Sequence, residues 1–285
     1  MNGFLNLYKP SGVSSAYVLN AVKRVLKRQP VGHMGTLDPL ASGVLPVAIG
    51  KSTRLFDYLL DKSKRYTATI EFGYETDTLD LEGAIIKTTE AIPTEEEVVF
   101  AASKMNGDIM QLPPVYSAKC VNGKRSYELA RKGKEVELPP KKVHISYVNV
   151  IEKITDRKYK IEIECKGGTY IRSIARDLGY MCNSFATMTS LVRTASGIFD
   201  ISGSISAEEF IKAEDKESLL IAPDMVVDFP IIRLTEIEAE RLFNGLYDVF
   251  DYPDGVYRVY DPDKFYGVGT MTDGKLKVKA YLRND

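Results

Sequence analysis

An alternating apolar segment followed by apolar residues at helical spacing opens the chain. Residues 4–10 predict a strand that ends at Pro10, because proline cannot continue a hydrogen-bond ladder. Ser14 or Ser15 can cap a helix that continues to about Arg28. The apolar residues of this helix fall on one face: Val18, Val22, Val25 and Leu26. The pattern therefore predicts a strand and then an amphipathic helix.

Farther along the chain, alternation predicts strands, and longer periods predict helices. The predicted strands cover residues 66–72, 143–154 and 159–165. Helical patterns cover residues 52–60, 94–106, 170–178 and 236–243. Thr94 and Glu97 have the spacing of a capping box, and Thr169 is the expected cap of the helix that Gly179 ends.

The end of the chain has a different pattern. Pro223 and Pro230 frame a short segment, and short strands follow around Gly255, Gly267 and Gly274. This predicts a boundary near residue 228 and a small β-rich unit after it.

Composition excludes several classes of protein. The chain has 285 residues, of which 27% are charged and 44% hydrophobic, as in ordinary globular proteins. No apolar run reaches membrane-spanning length and no secretory signal pattern is present, so we expect a cytoplasmic protein without a membrane partner. The three cysteines are widely spaced and there are two histidines, which argues against a disulfide framework or a zinc site.

The net charge of −1 conceals an uneven distribution. Residues 1–200 carry 28 Lys and Arg against 22 Asp and Glu, whereas residues 201–285 carry 10 against 17. The first 37 residues hold five basic side chains and no acidic one. A basic body of this kind is compatible with phosphate contacts, although solvated helix faces explain many such excesses.

Two loops carry candidate chemistry. Residues 32–45 are too rich in glycine for a helix and too interrupted for a strand, yet they are partly apolar and contain His33 and Asp38. A partly buried loop with one acid and one imidazole is a candidate active-site loop, although most Asp-Pro pairs only start turns. Asp77, Asp80 and Glu82 form an acidic segment that superficially resembles a calcium-binding loop. Because Leu79 stands at a ligand position, we expect a turn or a packed acidic loop instead.

Four segments resemble the TruB family of pseudouridine synthases, which isomerise a uridine in the T loop of tRNA. They are Gly-His-Met-Gly-Thr-Leu-Asp-Pro-Leu-Ala-Ser-Gly-Val-Leu (32–45), Lys-Arg-Tyr (64–66), Gly-Gly-Thr-Tyr-Ile-Arg (167–172) and Ser-Leu-Val-Arg-Thr (190–194). They follow the order of the family, and the matches cover most of residues 4–200.

The resemblance implies a role for each matched residue. Asp38 would be the catalytic carboxylate and Arg172 its ion-pair partner. Tyr66 would stack on the pyrimidine and handle a proton late in the reaction, while Tyr170 and Leu191 would line the pocket. Composition alone would instead favour an aromatic core residue at position 66. His33 would stack in the gap that flipped nucleotides leave behind.

Further matches concern support and RNA binding. Lys9 and Pro10 match a Lys-Pro motif that supports the active-site loop in the family. A proline-rich, basic stretch at about 111–145 resembles the region that grips the T arm. The expected contacts with the RNA backbone come from this stretch and from the first helix: Lys27, Arg28, Lys119, Lys124, Arg125 and Arg131.

The resemblance implies an α+β protein with the pseudouridine synthase fold, a mixed and mainly antiparallel sheet flanked by helices. The catalytic domain would span residues 1–228, and residues 229–285 would form a short PUA-like domain. The implied function is conversion of uridine 55 of tRNA to pseudouridine by a base-flipping monomer. It needs neither cofactor nor metal, and no obligate protein partner.

Three alternatives stay open at this stage. The dyskerin branch shares the catalytic core but takes its target from a guide RNA. A non-catalytic RNA-binding protein could keep the fold. An unrelated carbohydrate-active enzyme could use Asp38, but it would want a second, acidic partner. The sequence also leaves open whether Asp38 attacks the sugar, attacks the base or abstracts a sugar proton.

Overall fold

One large sheet forms the centre of the computed structural model, which describes residues 1–59, 62–117, 120–121, 124–126, 138–246, 249–262 and 264–282. The strands up to residue 206 are β1 (Gly3–Lys9), β2 (Val31–His33), β3 (Ser42–Ile49), β4 (Lys64–Phe72), β5 (Tyr74–Thr76), β6 (Ile85–Thr88), β7 (Gly107–Gln111), β8 (Cys120–Val121), β9 (Lys124–Arg125), β10 (Lys141–Lys153), β11 (Lys158–Cys165), β12 (Ala186–Ser196), β13 (Phe199–Asp200) and β14 (Ile205–Ser206). The sheet has the order β14-β1-β3-β12-β4-β11-β10-β7, with β2 beside β3 and β13 beside β12.

The sheet is mixed and mainly antiparallel, as predicted. β1 pairs in parallel with β14, and β3 pairs in parallel with β12. The pairs β1–β3, β4–β11, β4–β12, β10–β11 and β7–β10 are antiparallel. Helices flank this sheet, which agrees with the α+β class.

Two strands around Asp38 were not predicted. β2 and β3 flank it, so only residues 34–41 are irregular, and the prediction of a loop over residues 32–45 is wrong at both ends. A glycine is required inside β3 because the backbone of Gly43 lies against that of Arg193 on β12. A Cβ atom there would lie 2.2 Å from the Arg193 carbonyl oxygen.

Four helices agree with the predicted ones apart from shifts at their ends, whereas the predicted helix over residues 52–60 is a 3-10 helix. Two short helices, over residues 207–212 and 223–226, were not predicted. The helices are α1 (Ser15–Val25), α2 (Glu95–Ser103), α3 (Ile171–Met181), α4 (Ala207–Lys212), α5 (Pro223–Val226) and α6 (Glu236–Phe243), with 3-10 helices at Gly50–Tyr58 and Ile201–Gly203. The predicted capping box of Thr94 and Glu97 is present. Within the described ranges, no helix has the length and apolar character needed to cross a membrane.

Helix α1 ends at Val25, short of the predicted end at Arg28. The chain reverses here towards β2, and Lys27 and Arg28 take φ angles of 33° and 67°. These angles lie in the left-handed region, which costs a non-glycine residue about 1–2 kcal/mol. The two cations therefore lie on a tight turn after the helix and not on its face.

Helix α3 begins differently from the prediction. Its N-cap is Tyr170 and not Thr169, whose hydroxyl donates to the Lys166 carbonyl oxygen at 2.9 Å. The side-chain amide of Gln111 makes up for the missing cap. Its Oε1 accepts from the Tyr170 N–H at 2.9 Å, and its Nε2 donates to the Tyr170 carbonyl at 3.1 Å. The start of α3 is thus fixed to the end of β7.

The C-terminal part forms its own four-stranded sheet, in agreement with the predicted β-rich unit. Its order is β15 (Ile231–Arg233), β16 (Gly255–Tyr260), β17 (Phe265–Thr272) and β18 (Lys275–Tyr281). Val268, Ala280 and Leu282 share one buried cluster with Phe4 and Leu55. This sheet therefore packs on the first strands of the chain. The boundary at residue 228 and the PUA-like character stay predictions.

Buried side chains hold the irregular segment 34–41, which we call the active-site loop. Lys9 is fully buried, and its ammonium group donates to the carbonyl oxygens of Pro10, Pro39 and Ala41. The Ser15 hydroxyl bonds both the N–H and the carbonyl oxygen of Leu37 at 2.9 Å. Loop carbonyls outside the sheet need such partners when they are buried.

Lys9 provides a test of this support. Burial lowers its pKa to about 8, although the charge of Asp38 opposes this shift, whereas the unfolded chain has the usual value near 10.5. Between these values the unfolded state binds more protons, so the free energy of unfolding rises with pH. We expect it to rise relative to that of Lys9→Met by up to about 1.4 kcal/mol per pH unit. Urea unfolding from pH 7 to 10 measures this difference, and a pH-independent difference would contradict the burial of a charged Lys9.

Candidate active site

Asp38 stands at the exposed end of the active-site loop. Its carbonyl oxygen accepts from the Ala41 N–H at 3.0 Å, so Asp38 opens a turn with Pro39 at the second position. The side chain is 36% exposed. The turn therefore presents a carboxylate at the surface while the rest of the loop is anchored from below.

Arg172 is the partner of Asp38. Its Nε lies 2.9 Å from Asp38 Oδ2, and its side chain is only 7% exposed. Its Nη1 donates to the Thr78 carbonyl at 2.9 Å, and its Nη2 donates to the Tyr116 carbonyl at 3.1 Å. The guanidinium group is held on three sides, so it is a fixed counter-charge for the carboxylate. Charge-assisted contacts of this kind are stronger than neutral ones.

A second carboxylate faces the same guanidinium group. Asp80 Oδ2 lies 3.6 Å from Arg172 Nη1, and Asp80 is 3% exposed. Asp80 Oδ1 accepts from the Thr78 hydroxyl at 2.6 Å and from the Glu82 N–H at 3.0 Å. Leu79 between them has a φ of 65°. The acidic segment is thus the expected packed turn, and its strained residue directs both Thr78 and Asp80 at Arg172.

A cavity of about 330 Å³ opens beside this ion pair. Its size is near the lower limit of small-molecule pockets, about 300–1,000 Å³. Oxygen-rich residues of the acidic segment surround Asp38 and Arg172. Its lining consists of Asp38, Pro39, Asp77, Thr78, Asp80, Glu82, Gly83, Ala84, Tyr116 and Arg172.

Tyr66 and Leu191 lie behind the active-site loop. They are 7% and 6% exposed and belong to the same buried cluster as Leu37 and Ala41. Burial raises the pKa of Tyr66, while the charge and hydrogen bond of Arg193 oppose this rise. The structure thus places both residues beside the loop, but as parts of the core and not as an exposed stacking surface.

Tyr170 and His33 are partly buried. Burial raises the pKa of Tyr170, against the opposing effects of Ser117 and Arg172. Burial also lowers the pKa of His33, helped by the charges of Arg193 and Lys23, so its ring is neutral at neutral pH. Neither residue lines the cavity beside Asp38. A neutral, planar ring suits the expected contact with stacked bases.

The expected RNA contacts are only partly described. Lys27 and Arg28 are exposed on the turn that precedes β2. Lys124 and Arg125 form strand β9, of which the structure describes the backbone. Lys119 and Arg131 lie outside the described residues. The same holds for residues 127–132, where the sequence predicts a short helix that Gly133 ends. The described part of the chain holds no cluster of three or more His, Cys, Asp or Glu suited to a metal ion.

Sequence reasoning missed three contributors to the site. Asp80 was treated only as part of a turn, and the Tyr116 carbonyl gave no signal at all. Arg193 lies in a segment from which we had singled out Leu191 alone. A charged residue inside an otherwise uncharged strand was the available signal, because such residues are seldom buried without a partner.

One protein family and several known proteins are similar to this chain in sequence. A family model described as TruB family pseudouridylate synthase (N terminal domain) matches residues 23–171. The chain is 39% identical over 291 residues to tRNA pseudouridine synthase B of Francisella philomiragia, covering 100% of this chain and 96% of that protein. It is 42% identical over 287 residues to the protein of that name from Acaryochloris marina, covering 99% of both chains.

Solved structures also resemble this chain. One is a Cbf5-Nop10-Gar1 complex, with a TM-score of 0.71, 24% identity and coverage of 94% of this chain and 78% of the other. Another is an H/ACA RNP bound to a substrate RNA containing 2'-deoxyuridine, with a TM-score of 0.73, 22% identity and coverage of 99% and 85%. These likenesses show the pseudouridine synthase fold. With its matched motifs and its full-length relatives, the chain belongs to the TruB family of pseudouridylate synthases.

Proposed function

We propose that this chain converts uridine 55 in the T loop of tRNA to pseudouridine, with Asp38 as the reacting carboxylate. The observation that carries the proposal is the contact of Asp38 with a fixed, buried guanidinium group at 2.9 Å. The relatives named tRNA pseudouridine synthase B span the whole chain and support the choice of substrate.

The reaction needs a carboxylate that stays ionised next to an extruded base. The glycosidic bond between C1' and N1 is broken, the base is rotated, and C5 is joined to C1'. C5 then loses its proton and N1 takes up a proton, so the isomerisation involves no redox change. Removing Asp38 from water would raise the free energy of its charged form. Arg172 offsets this cost. Its contact with Oδ2 is the only ion pair of Asp38 among the described residues. A carboxylate can start such chemistry at a sugar centre.

Base flipping requires further contacts between the protein and the nucleotide. Extruding a paired or stacked base costs a few kcal/mol, which contacts in the pocket must offset. Tyr66, Tyr170 and Leu191 are the proposed pocket residues, and His33 is the proposed occupant of the vacated stack. Because Tyr66 and Leu191 are nearly buried, we expect them to contact one edge of the nucleotide and not to sandwich it.

The protein would act as a monomer in the cytoplasm, without an obligate protein partner or cofactor. Family membership removes the unrelated carbohydrate-active enzyme from the alternatives. A guide-dependent enzyme of the dyskerin type differs in one testable respect, because it requires a guide RNA. Incubating the purified chain with unmodified transcript tRNA and mapping pseudouridine decides between them. Modification at position 55 without added RNA or protein supports the proposal, and modification that depends on a guide would overturn it.

Asp38→Asn should abolish turnover and leave tRNA affinity nearly unchanged. The amide keeps the shape of the side chain but supplies neither a nucleophile nor a base. Single-turnover pseudouridine formation and filter binding measure the two properties on the same preparation, with thermal unfolding as the control for folding. Formation of pseudouridine at the wild-type rate would sink the assignment of Asp38.

Arg172→Ala should slow the single-turnover rate by about 100-fold or more, because it leaves the carboxylates of Asp38 and Asp80 without their shared cation. Arg172→Lys keeps the charge but cannot hold four oxygen partners, so we expect an intermediate rate. Equal rates for the wild type and both variants would contradict the role of Arg172.

Lys27→Gln combined with Arg28→Gln should weaken tRNA binding and flatten its dependence on salt. Each phosphate contact that is lost should reduce the slope of log K against log salt by about 1. Lys104→Gln combined with Lys153→Gln is the matched control, because these cations are exposed just after α2 and at the end of β10. Equal slopes for both double variants would show that Lys27 and Arg28 are merely solvated.

A further inference from the structure

Arg193 is a second buried arginine near the active-site loop. It is 1% exposed on β12 and lies directly opposite Tyr66 on β4. In the described part of the chain it forms no salt bridge with a carboxylate, unlike Arg172. A buried guanidinium group is costly unless hydrogen bonds replace its water. The groups that bind Arg193 in place of water therefore indicate the role of this residue.

These contacts come from three separate segments. Nε donates to the Val44 carbonyl oxygen at 2.7 Å, and Nη2 donates to the Gly35 carbonyl oxygen at 3.1 Å. The guanidinium group also acts on Tyr66, because the two residues face each other across β12 and β4 and its charge influences the phenol. Gly35 belongs to the start of the active-site loop, and Val44 follows its end. Arg193 thus binds both flanks of the loop that carries Asp38 and faces Tyr66.

The chemistry of arginine fixes how these two groups can interact. A guanidinium group has five donors and no acceptor, so in a hydrogen bond between Arg193 and Tyr66 the phenol oxygen accepts. The single proton of the phenol is then available for another partner. The positive charge of Arg193 also stabilises the phenolate, in opposition to the burial that raises the pKa of Tyr66.

We propose that Arg193 is a positioning residue for Tyr66: it orients the phenol so that its proton points away from β12, and it locks this phenol to the loop that carries Asp38. The inference rests on the proposed function, because it assigns Tyr66 to the same isomerisation. Arg193 acts through Tyr66 and does not contact the substrate.

A double-mutant cycle tests the coupling. Arg193→Lys keeps the charge, but a lysine ammonium group cannot reproduce the planar fork of donors with which the guanidinium group reaches Val44 and Gly35 while facing Tyr66. We expect it to lower the single-turnover rate at least tenfold in the wild-type background and at most about threefold in Tyr66→Phe, since coupled residues are not additive. Arg176→Lys is the matched control, because Arg176 is a buried arginine on α3 that bonds Asp177 and the Leu112 carbonyl oxygen. Its effect should be the same in both backgrounds.

Equal losses for Arg193→Lys in the two backgrounds would overturn the proposal, because they would mean that Arg193 supports only the loop. If Tyr66→Phe forms no measurable pseudouridine, a titration without RNA decides. The ionisation of Tyr66 is followed as a function of pH by the difference in absorbance between each protein and its Tyr66→Phe counterpart. Arg193→Met should raise the pKa of this phenol by about one pH unit or more, and Arg193→Lys should raise it less. An unchanged pKa in both variants would refute the contact.

The two proposals fail in different ways. A wild-type protein that leaves tRNA unmodified at position 55 refutes the proposed function, while the titration still tests the bond between Arg193 and Tyr66. A wild-type protein that is active, with additive losses in the cycle, refutes only the inference.

Discussion

The ion pair between Asp38 and Arg172 is the interaction on which the site depends. A carboxylate near an extruded base loses water, and a fixed cation beside it favours its charged form. Arg172 is fixed because the Thr78 and Tyr116 carbonyls and the Asp80 carboxylate occupy its other donors. The bonds between Gln111 and Tyr170 attach the start of helix α3, from which this side chain extends, to β7. The acidic segment, the start of the helix and the loop therefore form one unit.

The active-site loop is the second constraint, because its backbone lies outside the sheet. Lys9 binds carbonyl oxygens at its far end, and Arg193 binds them at both flanks. Buried cations thus satisfy the backbone carbonyl oxygens of the loop, as backbone N–H groups do in the neighbouring strands. The same charges lie close enough to Asp38 and Tyr66 to influence their environment. Support of the backbone and electrostatic control of the site are therefore properties of the same side chains.

Much of the fold could be predicted from local patterns, and the errors have physical causes. Strands β4, β10 and β11 and helix α2 follow directly from alternation and capping. β3 was missed because the reason for Gly43 is a close approach of β12, which lies far away in sequence. The end of α1 was misplaced because two cations take a conformation that usually marks glycine. Motifs brought Asp38 and Arg172 to attention, but Asp80 gained its meaning only when folding placed it against Arg172.

The arrangement of charges also reconciles an acidic pocket and a net charge of −1 with an RNA substrate. Cations inside the protein bind carbonyl and carboxylate oxygens, so they contribute little to the attraction of phosphate. Lys27 and Arg28 are exposed cations near the end of α1. They form no such hydrogen bonds or ion pairs among the described contacts. Phosphate would be repelled by the acidic lining beside Asp38, whereas an uncharged base would not. In the proposed reaction the nucleotide would therefore bring its uncharged base, and not its phosphates, to the side of this cavity that Asp38 forms.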